Sequence, residues 1–455
     1  MAEDARAPDL SQAIGKLDEI DPILLHGKVT QVVGLVIEAT GPAVSVGDLC
    51  YVHPRDGEEP IPAEVVGFRG KSALLMPLGD MRGIGPQSVV VPSFKPPTVK
   101  LSVDLLGRVI DSVGLPIDGK GPVKCSEEYP LVNKPMNPLD RERIREPLAT
   151  GVKAIDTCLT CGKGQRIGIF SGSGIGKSTV LGMIARHTEA DVNVIALVGE
   201  RGREVKRFIE EDLGEQGLAR SVVVAVTSDQ PALLRLQGAL VATAVAEYFR
   251  NQKMDVLLMM DSVTRFAMAQ RQIGLAIGEP PTTRGYPPSV FALLPQLLER
   301  AGTSSAGSIT GIYTVLVEAD DMNEPISDSV RSILDGHVVL SRELASRNHY
   351  PAIDILQSVS RVMVDVVAKR HTAVANQARK VLATYKEAED LINIGAYIEG
   401  SNPDIDYARQ KIAALNMFLT QNVEDHFGLQ DNIPELERIF GGDVMLPSEL
   451  VAAEV

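Results

Sequence analysis

The sequence contains no tryptophan, and aromatic residues make up only 4% of its 455 residues. Side chains on which nucleic-acid bases could stack are therefore scarce. The formal net charge is −14 at pH 7, and a chain of that charge repels a polyanion unless a local basic patch overrides the repulsion. Both features argue against a nucleic acid as the main partner.

Long apolar runs and a leader-like start are also missing. No stretch approaches the roughly 18 consecutive apolar residues that a membrane-spanning helix needs, and the first residues, Met1-Ala2-Glu3-Asp4, are acidic, unlike a secretory or transit peptide. The hydrophobic content of 44% is enough to bury a large core in two or three domains. We therefore expect a folded multidomain protein of the cytosol.

Cysteine is too rare and too scattered for a disulfide framework, with residues only at Cys50, Cys125, Cys158 and Cys161. Cys158 and Cys161 form a single Cys-x-x-Cys, and no second pair completes a zinc site. Two interpretations stay open: reduced thiols in a turn before a strand, or a redox pair.

A glycine-rich loop is the most informative stretch that is present. It lies between the apolar run 167–170 and the helix-like run 180–185, the strand-loop-helix context of a Walker A phosphate loop. Glycines let backbone N–H groups surround a phosphate, and the helix N-terminus adds its dipole. The predicted nucleotide-binding residues are Ser171, Gly172, Ser173, Gly174, Ile175, Gly176, Lys177, Ser178 and Thr179. The usual pattern begins with Gly or Ala, and Ser171 is small enough to keep the turn.

Within this loop, Lys177 is expected to contact the β- and γ-phosphates of ATP, and the Ser178 hydroxyl to ligate Mg²⁺. A second carboxylate follows at the end of the apolar run 255–260, where Asp261 would hold the same Mg²⁺ through water. Glu200 ends another apolar run, at the sheet edge where a base could deprotonate an attacking water. A structural salt-bridge cluster with the flanking arginines is the alternative for Glu200.

Periodicity predicts four regions. Residues 9–21, within an N-terminal segment 1–26, show the spacing of a short amphipathic helix. Residues 27–95 contain short β-type runs broken by turn residues, which predicts a small closed barrel. Residues 96–370 begin with an extended lead-in and continue, from about 150, with buried strands alternating with helices, typical of an α/β fold with a mostly parallel sheet. Residues 371–455 predict a helical domain, with helices at 373–391, 404–421 and 433–440 and a frayed end after 440.

Four longer motifs resemble one family. They are Gly-Glu-Arg-Gly-Arg-Glu at 199–204, Asp-Ser-Val-Thr-Arg at 261–265, the segment 278–292 and the segment 332–342. The sequence is similar here to the protein-export ATPases of type III secretion, which are relatives of the catalytic subunit of rotary ATP synthases. The resemblance runs from about residue 27 to at least residue 370. It implies a RecA-like core, ATP and Mg²⁺ as cofactors, and a homohexamer.

The resemblance also implies roles for individual residues. Glu200 matches the carboxylate that polarises the attacking water, and Arg201 and Arg265 match arginines near the γ-phosphate. Tyr350 matches the aromatic residue that packs on adenine. Arg361 matches the finger that a neighbouring subunit inserts, so the active site would lie between subunits.

The function implied is an ATP-hydrolysing motor subunit for protein export. The resemblance of the barrel stretch 74–85 and of the core favours a flagellar apparatus. The segment 320–328 fits a virulence injectisome nearly as well. The implied partners are other copies of the chain, stator or regulator and stalk proteins, export substrates with their chaperones, and an export gate at the inner membrane. A ring-forming RNA translocase like the transcription terminator Rho and a rotary synthase subunit are the alternatives, disfavoured by the acidic charge and by the export-type motifs respectively.

Overall fold

The computed structural model describes residues 25–55, 57–93 and 95–441. The predicted helix at 9–21 and the predicted frayed segment beyond 441 lie outside the described residues. The chain divides after Pro97 into two compact units, and each is considered by itself.

The first unit is a closed six-stranded barrel. Its strands are β1 (Gly27–Val33), β2 (Val36–Thr40), β3 (Leu49–Val52), β4 (Ile61–Arg69), β5 (Ser72–Pro77) and β6 (Val89–Pro92). They are arranged in the order β1-β2-β5-β4-β3-β6, and because β1 pairs with both β2 and β6, the barrel has no open edge. Alternate residues point inward, and side chains such as Val29, Ile37 and Leu75 are completely buried.

The second unit is built on a mostly parallel sheet in the order β19-β18-β12-β17-β15-β13-β14-β8. Of these strands β19 runs antiparallel to its neighbour β18, and the short β16 pairs antiparallel with β17. The strands of this unit are β7 (Thr98–Leu101), β8 (Arg108–Ile110), β9 (Glu127–Pro130), β10 (Pro147–Leu148), β11 (Cys161–Gly162), β12 (Arg166–Ser171), β13 (Val192–Glu200), β14 (Ser221–Thr227), β15 (Asp255–Asp261), β16 (Gly302–Thr303), β17 (Ser308–Leu316), β18 (Gly336–Leu340) and β19 (Ile353–Ser360).

Helices cover the sheet, and this explains why the central strands are apolar on both faces. One of these helices, α5 (Ala232–Asn251), buries residues on most of its circumference, from Ala232 to Phe249. The helices are α1 (Lys153–Cys158), α2 (Lys177–His187), α3 (Gly202–Arg207), α4 (Gly214–Ala219), α5 (Ala232–Asn251), α6 (Val263–Ile277), α7 (Pro288–Leu298), α8 (Pro325–Ile333), α9 (Arg342–Ser346), α10 (Met363–Val366), α11 (Lys369–Asn393), α12 (Pro403–Leu419) and α13 (Leu429–Phe440). A π-helix at Phe208–Leu213 joins α3 to α4.

The C-terminal part is helical, as predicted. The helix α11 buries one stripe, including Val374, Ala378 and Val381, at three- and four-residue spacing. Within the described residues, no helix has the length and apolar character needed to cross a membrane.

The predicted fold class, an α/β parallel-sheet core with an N-terminal β-barrel and a C-terminal helical region, is confirmed. Strands that the periodicity missed are short or polar. Arg108–Ile110, expected as part of an extended lead-in, is the edge strand β8 and pairs with β14. The strand β18 pairs with β12 beside the phosphate loop. Three and five residues are too few to show a period.

Candidate active site

The glycine-rich loop connects β12 to α2 at the edge where the parallel strands end. Gly174 and Gly176 have φ values of 79° and 93°, the left-handed region in which glycine is unstrained. Loop residues 172–174 and 176–179 line a cavity of about 700 Å³, within the range of small-molecule sites. Ser171 and Ile175 are each 1% exposed, so these two predicted residues can offer a ligand only backbone groups.

Three charged side chains that were predicted separately meet at this edge. The Lys177 ammonium contacts the Asp261 carboxylate directly and lies 3.7 Å from Glu200 Oε1. Their side chains are 11%, 6% and 13% exposed, in the order Lys177, Asp261, Glu200. Burial and the charge of Asp261 raise the pKa of Glu200 to about 7, against the partial compensation of Lys177. A carboxyl group with a pKa near 7 suits a general base.

A second, smaller cavity of about 20 Å³ is lined by Ser178, Glu200, Glu204 and Asp261 among others. It can hold roughly one water molecule or ion. One hydroxyl and several carboxylate oxygens are the donors that Mg²⁺ prefers. Among the described residues no group of three or more His, Cys, Asp or Glu side chains forms a metal cage. The donor set therefore fits a metal that takes its remaining ligands from phosphate and water.

Two of the predicted arginines line the main cavity. Arg201 precedes α3, and its guanidinium donates to Glu204 at 2.9 Å. Arg265 lies in the first turn of α6, and its buried Nε has no hydrogen-bond partner among the described residues. The Arg265 guanidinium therefore keeps one donor without a partner among the described residues.

The other two predicted residues lie apart from this cluster. Tyr350 is 42% exposed, and a Cβ placed on Gly176 would lie 3.8 Å from its ring, so the ring borders the phosphate loop. The bonds Asp261–Ser262 and Tyr350–Pro351 are both cis. Arg361 follows β19 at the opposite edge of the sheet, and its N–H donates to Asp335 O at 3.0 Å.

Three further residues lie at the edge of the sheet that carries the phosphate loop, and they were not predicted as site residues from the sequence. Thr314 donates to Asp261 Oδ1 at 2.8 Å and orients that carboxylate. Glu204 hydrogen-bonds Glu200. Arg342 lines the cavity and is paired with Asp320 at 3.2 Å beside Gly172. Glu204 and Arg342 lie within the motifs 199–204 and 332–342, which could have indicated them. Nothing in the sequence distinguishes Thr314 from other strand residues.

The cysteine pair is buried. Cys158 and Cys161 are free thiols, and burial raises the pKa of both. A buried thiol of raised pKa is a poor nucleophile. The geometry therefore favours the interpretation as reduced structural thiols over a redox pair.

Three family descriptions match the chain. The ATP synthase alpha/beta family, beta-barrel domain, matches residues 29–93, and the nucleotide-binding domain of the same family matches residues 151–360. The T3SS EscN ATPase C-terminal domain matches residues 367–438.

Similar proteins match over nearly their whole length. The flagellum-specific ATP synthase of Bacillus subtilis is 54% identical over 94% of this chain and 98% of its own. The type 3 secretion system ATPase of Xanthomonas euvesicatoria is 50% identical over 90% of this chain and 93% of its own. The structure of the assembled ATPase EscN from the type III secretion system of enteropathogenic E. coli is 45% identical with a TM-score of 0.87, covering 91% of this chain and 99% of that one. A second structure holds EscN in complex with its central stalk EscO, with a TM-score of 0.84.

Proposed function

We propose, because this chain belongs to the family of the flagellum-specific ATP synthases and type 3 secretion system ATPases, that it hydrolyses ATP in a homohexameric ring that energises protein export through a flagellar type III secretion apparatus. The observation that carries the proposal is the meeting of Lys177, Glu200 and Asp261 behind the phosphate loop, at the wall of a cavity large enough for a nucleotide.

The residues divide the work of phosphoryl transfer as follows. Backbone N–H groups of the loop and the Lys177 ammonium bind the β- and γ-phosphates. The Ser178 hydroxyl and, through water, Asp261 would hold Mg²⁺. When bound, that ion neutralises charge on the phosphates. Glu200 orients a water molecule opposite the β,γ-bridge and takes its proton.

Tyr350 and two arginines complete the proposed site. The ring of Tyr350, beside Gly176, offers a face on which adenine can pack. Arg201 and Arg265 both line the cavity, which supports a role for their guanidinium groups near the γ-phosphate. Positive charge aimed at the transferred phosphoryl group stabilises the transition state.

The position of Arg361 supports a site shared between subunits. Its backbone N–H donates to the backbone carbonyl of Asp335. The side-chain carboxylate of Asp335 pairs with Arg166 at the start of β12. The phosphate loop begins at the other end of β12, at Ser171, about 16 Å away at the usual rise per strand residue. Arg361 is exposed, so it is available to a neighbouring subunit rather than to its own site. A finger in trans explains why the ring would be the active unit.

A mixing experiment tests the shared site. The variants Lys177→Ala and Arg361→Ala should each be inactive alone, because one lacks the phosphate contact and the other lacks the finger. Rings assembled from both contain interfaces with an intact loop and an intact finger, so part of the ATP turnover should return. If native mass spectrometry verifies that the rings are mixed and no turnover returns, the proposal that Arg361 acts in a neighbouring subunit's site is wrong.

The partners and location are proposed from the relatives. EscN forms a complex with its central stalk EscO, and we infer a stalk partner for this ring too. Stator or regulator proteins, export substrates with chaperones, and the export gate at the inner membrane are the further expected partners, with the ring on the cytoplasmic face. The net charge of −14 disfavours nucleic acid, so turnover should be independent of added RNA.

A virulence injectisome is the second candidate, supported by the 50% identity to the Xanthomonas euvesicatoria type 3 secretion system ATPase. A strain carrying Glu200→Gln distinguishes the two. Loss of filament-protein secretion and motility, with effector secretion intact, supports the flagellar role, and the reverse pattern supports the injectisome.

A further inference from the structure

The residue before the proposed finger is held by a buried amide. Gln165, which is completely buried, donates through Nε2 to Ser360 Oγ at 3.1 Å and to Asp335 O at 3.3 Å. Its Oε1 accepts from the Gly162 N–H at 2.9 Å. A buried amide is costly unless its groups are paired, and here both ends are. The side chain therefore joins three segments at the edge where the parallel strands begin.

Two of those segments lead directly to Arg361. Ser360 is its neighbour in the chain and also donates to Thr160 O at 2.9 Å. Asp335 O accepts from both Gln165 and the Arg361 N–H. Gln165 therefore contacts the two groups that fix the backbone at Arg361, the Asp335 carbonyl and the Ser360 hydroxyl.

The surrounding groups keep this arrangement rigid. The Asp335 carboxylate accepts from Arg166 Nε at 3.0 Å and Arg166 Nη2 at 3.1 Å, a two-point contact with little freedom. A Cβ on Gly336 would lie 2.6 Å from Val359 O, so only glycine lets the turn approach the end of β19 this closely. The end of the strand is fixed, although the Arg361 side chain itself is exposed.

We propose that Gln165, acting through Ser360 and Asp335, is a positioning residue for the Arg361 finger. This rests on the proposed function, because it requires that Arg361 serve a neighbouring site. A long side chain on a loosened backbone reaches its target less often, and a misplacement of about 1 Å can lower the rate roughly a hundredfold. The effect of Gln165 would therefore fall on the neighbour's active site and not on its own.

The rival explanation is that Gln165 acts on its own phosphate loop, since it directly precedes β12, which ends at Ser171. The two explanations predict opposite results when chains are mixed. A chain with a misplaced finger keeps a working loop, whereas a chain with a damaged loop keeps a working finger.

The test uses Gln165→Met, which keeps the length and removes the hydrogen bonds, and Ser360→Ala. Each should lower ATP turnover at least about tenfold while leaving nucleotide affinity unchanged. The variant Ser360→Thr, which keeps the hydroxyl, should retain near-wild-type turnover. Ser358→Ala is the matched control, because Ser358 is a buried serine of the same strand whose hydroxyl binds Val339 N and Asp354 O, away from Arg361. It should lower the melting temperature at least as much as Ser360→Ala and keep near-normal turnover.

Each slow variant is then mixed with an excess of Lys177→Ala or of Arg361→Ala. Recovery with Lys177→Ala alone is the expected result, because that partner supplies an intact finger. Recovery with Arg361→Ala alone would assign Gln165 to its own loop and overturn the proposal. Recovery with neither, or undiminished turnover in the variants, would overturn it as well.

The mixture of Lys177→Ala with Arg361→Ala runs beside these as the reference. If that pair recovers and the Gln165 variant does not behave as expected, the positioning role fails while the shared site stands. If the reference pair itself does not recover, the shared site fails and the positioning role falls with it.

Discussion

The two edges of the central sheet differ in how their charges are compensated. Where the parallel strands end, one cation, Lys177, lies against two carboxylates, Glu200 and Asp261. Where the strands begin, two guanidinium groups pair with two carboxylates in a linear network, in the order Arg141, Glu299, Arg166 and Asp335. Among the described residues, the two carboxylates at the first edge share one directly paired cation, and the two carboxylates at the second edge have two.

This difference separates function from stability within one sheet. Burial and the neighbouring charge of Asp261 raise the pKa of Glu200 to about 7, so the site in the protein alone holds its proton more tightly than an exposed carboxyl group does. A ligand that brings cations and phosphate oxygens can complete such a site. The network of Arg141, Glu299, Arg166 and Asp335 has equal numbers of cations and carboxylates, and it holds strands and loops together. Substitutions at the two edges should therefore affect different measurements.

The largest effect is expected from Lys177→Ala. It should reduce ATP turnover at least about a thousandfold, because the loss is of charge at the transferred phosphate. The melting temperature should stay close to wild type. Lys163→Ala is the matched control at the other edge, where Lys163 pairs with Asp255 at 2.8 Å; it should leave turnover intact and cost about 1 kcal/mol of stability or less. Near-normal turnover in folded Lys177→Ala would refute the proposed function.

Arg300→Ala should act on stability instead. Arg300 and Glu247 form an ion pair at 2.8 Å with side chains only 2% and 3% exposed. Removing one partner leaves a buried unpaired charge, so unfolding in denaturant should show a loss of about 3–5 kcal/mol. The double variant Arg300→Met with Glu247→Leu should recover part of it, because neither charge remains. A loss below about 1 kcal/mol in the single variant would mean that water reaches the pair.

Glu200→Gln should lower turnover at least about a hundredfold, the scale of a lost general base. Nucleotide binding, measured by titration with a fluorescent analogue, should be largely kept because the phosphate loop is untouched. Glu146→Gln, a change of the same kind near Lys163, should alter neither quantity. If Glu200→Gln abolished binding but left the rate per bound ATP unchanged, Glu200 would be a binding residue.

The smallest effect concerns pH. Since the pKa of Glu200 is raised from 4.5 to about 7, the free protein loses its ionised base as the pH falls below 7. The value of kcat/KM should therefore rise with pH through about 7, and the residual activity of Glu200→Gln should lack this limb. The sign for stability is opposite. As the pH rises from 4.5 to 7, the unfolded state releases the Glu200 proton while the folded state keeps it, so this group increasingly destabilises the folded state. A wild-type profile that is flat from pH 6 to 8 would contradict the assignment of Glu200 as base.

The fold was largely predictable because its central strands are long and buried. Runs such as 194–198 and 256–260 are apolar without interruption, and they correspond to β13 and β15. The elements that escaped are those whose conformation depends on a neighbour. The strand β8 has three residues and is defined by pairing with β14.

The sequence by itself determined the phosphate loop, the residue types of the candidate site and the order of strands and helices, because loop chemistry and hydrophobic periodicity are local. Only the tertiary structure decided which distant residues meet. Thr314 reaches Asp261 because β17 and β15 are adjacent in the sheet, and Gln165 reaches Ser360 across 195 positions of the chain. Contacts of this kind follow from strand order and from the cost of leaving a buried polar group unpaired, and neither leaves a periodic mark on the sequence.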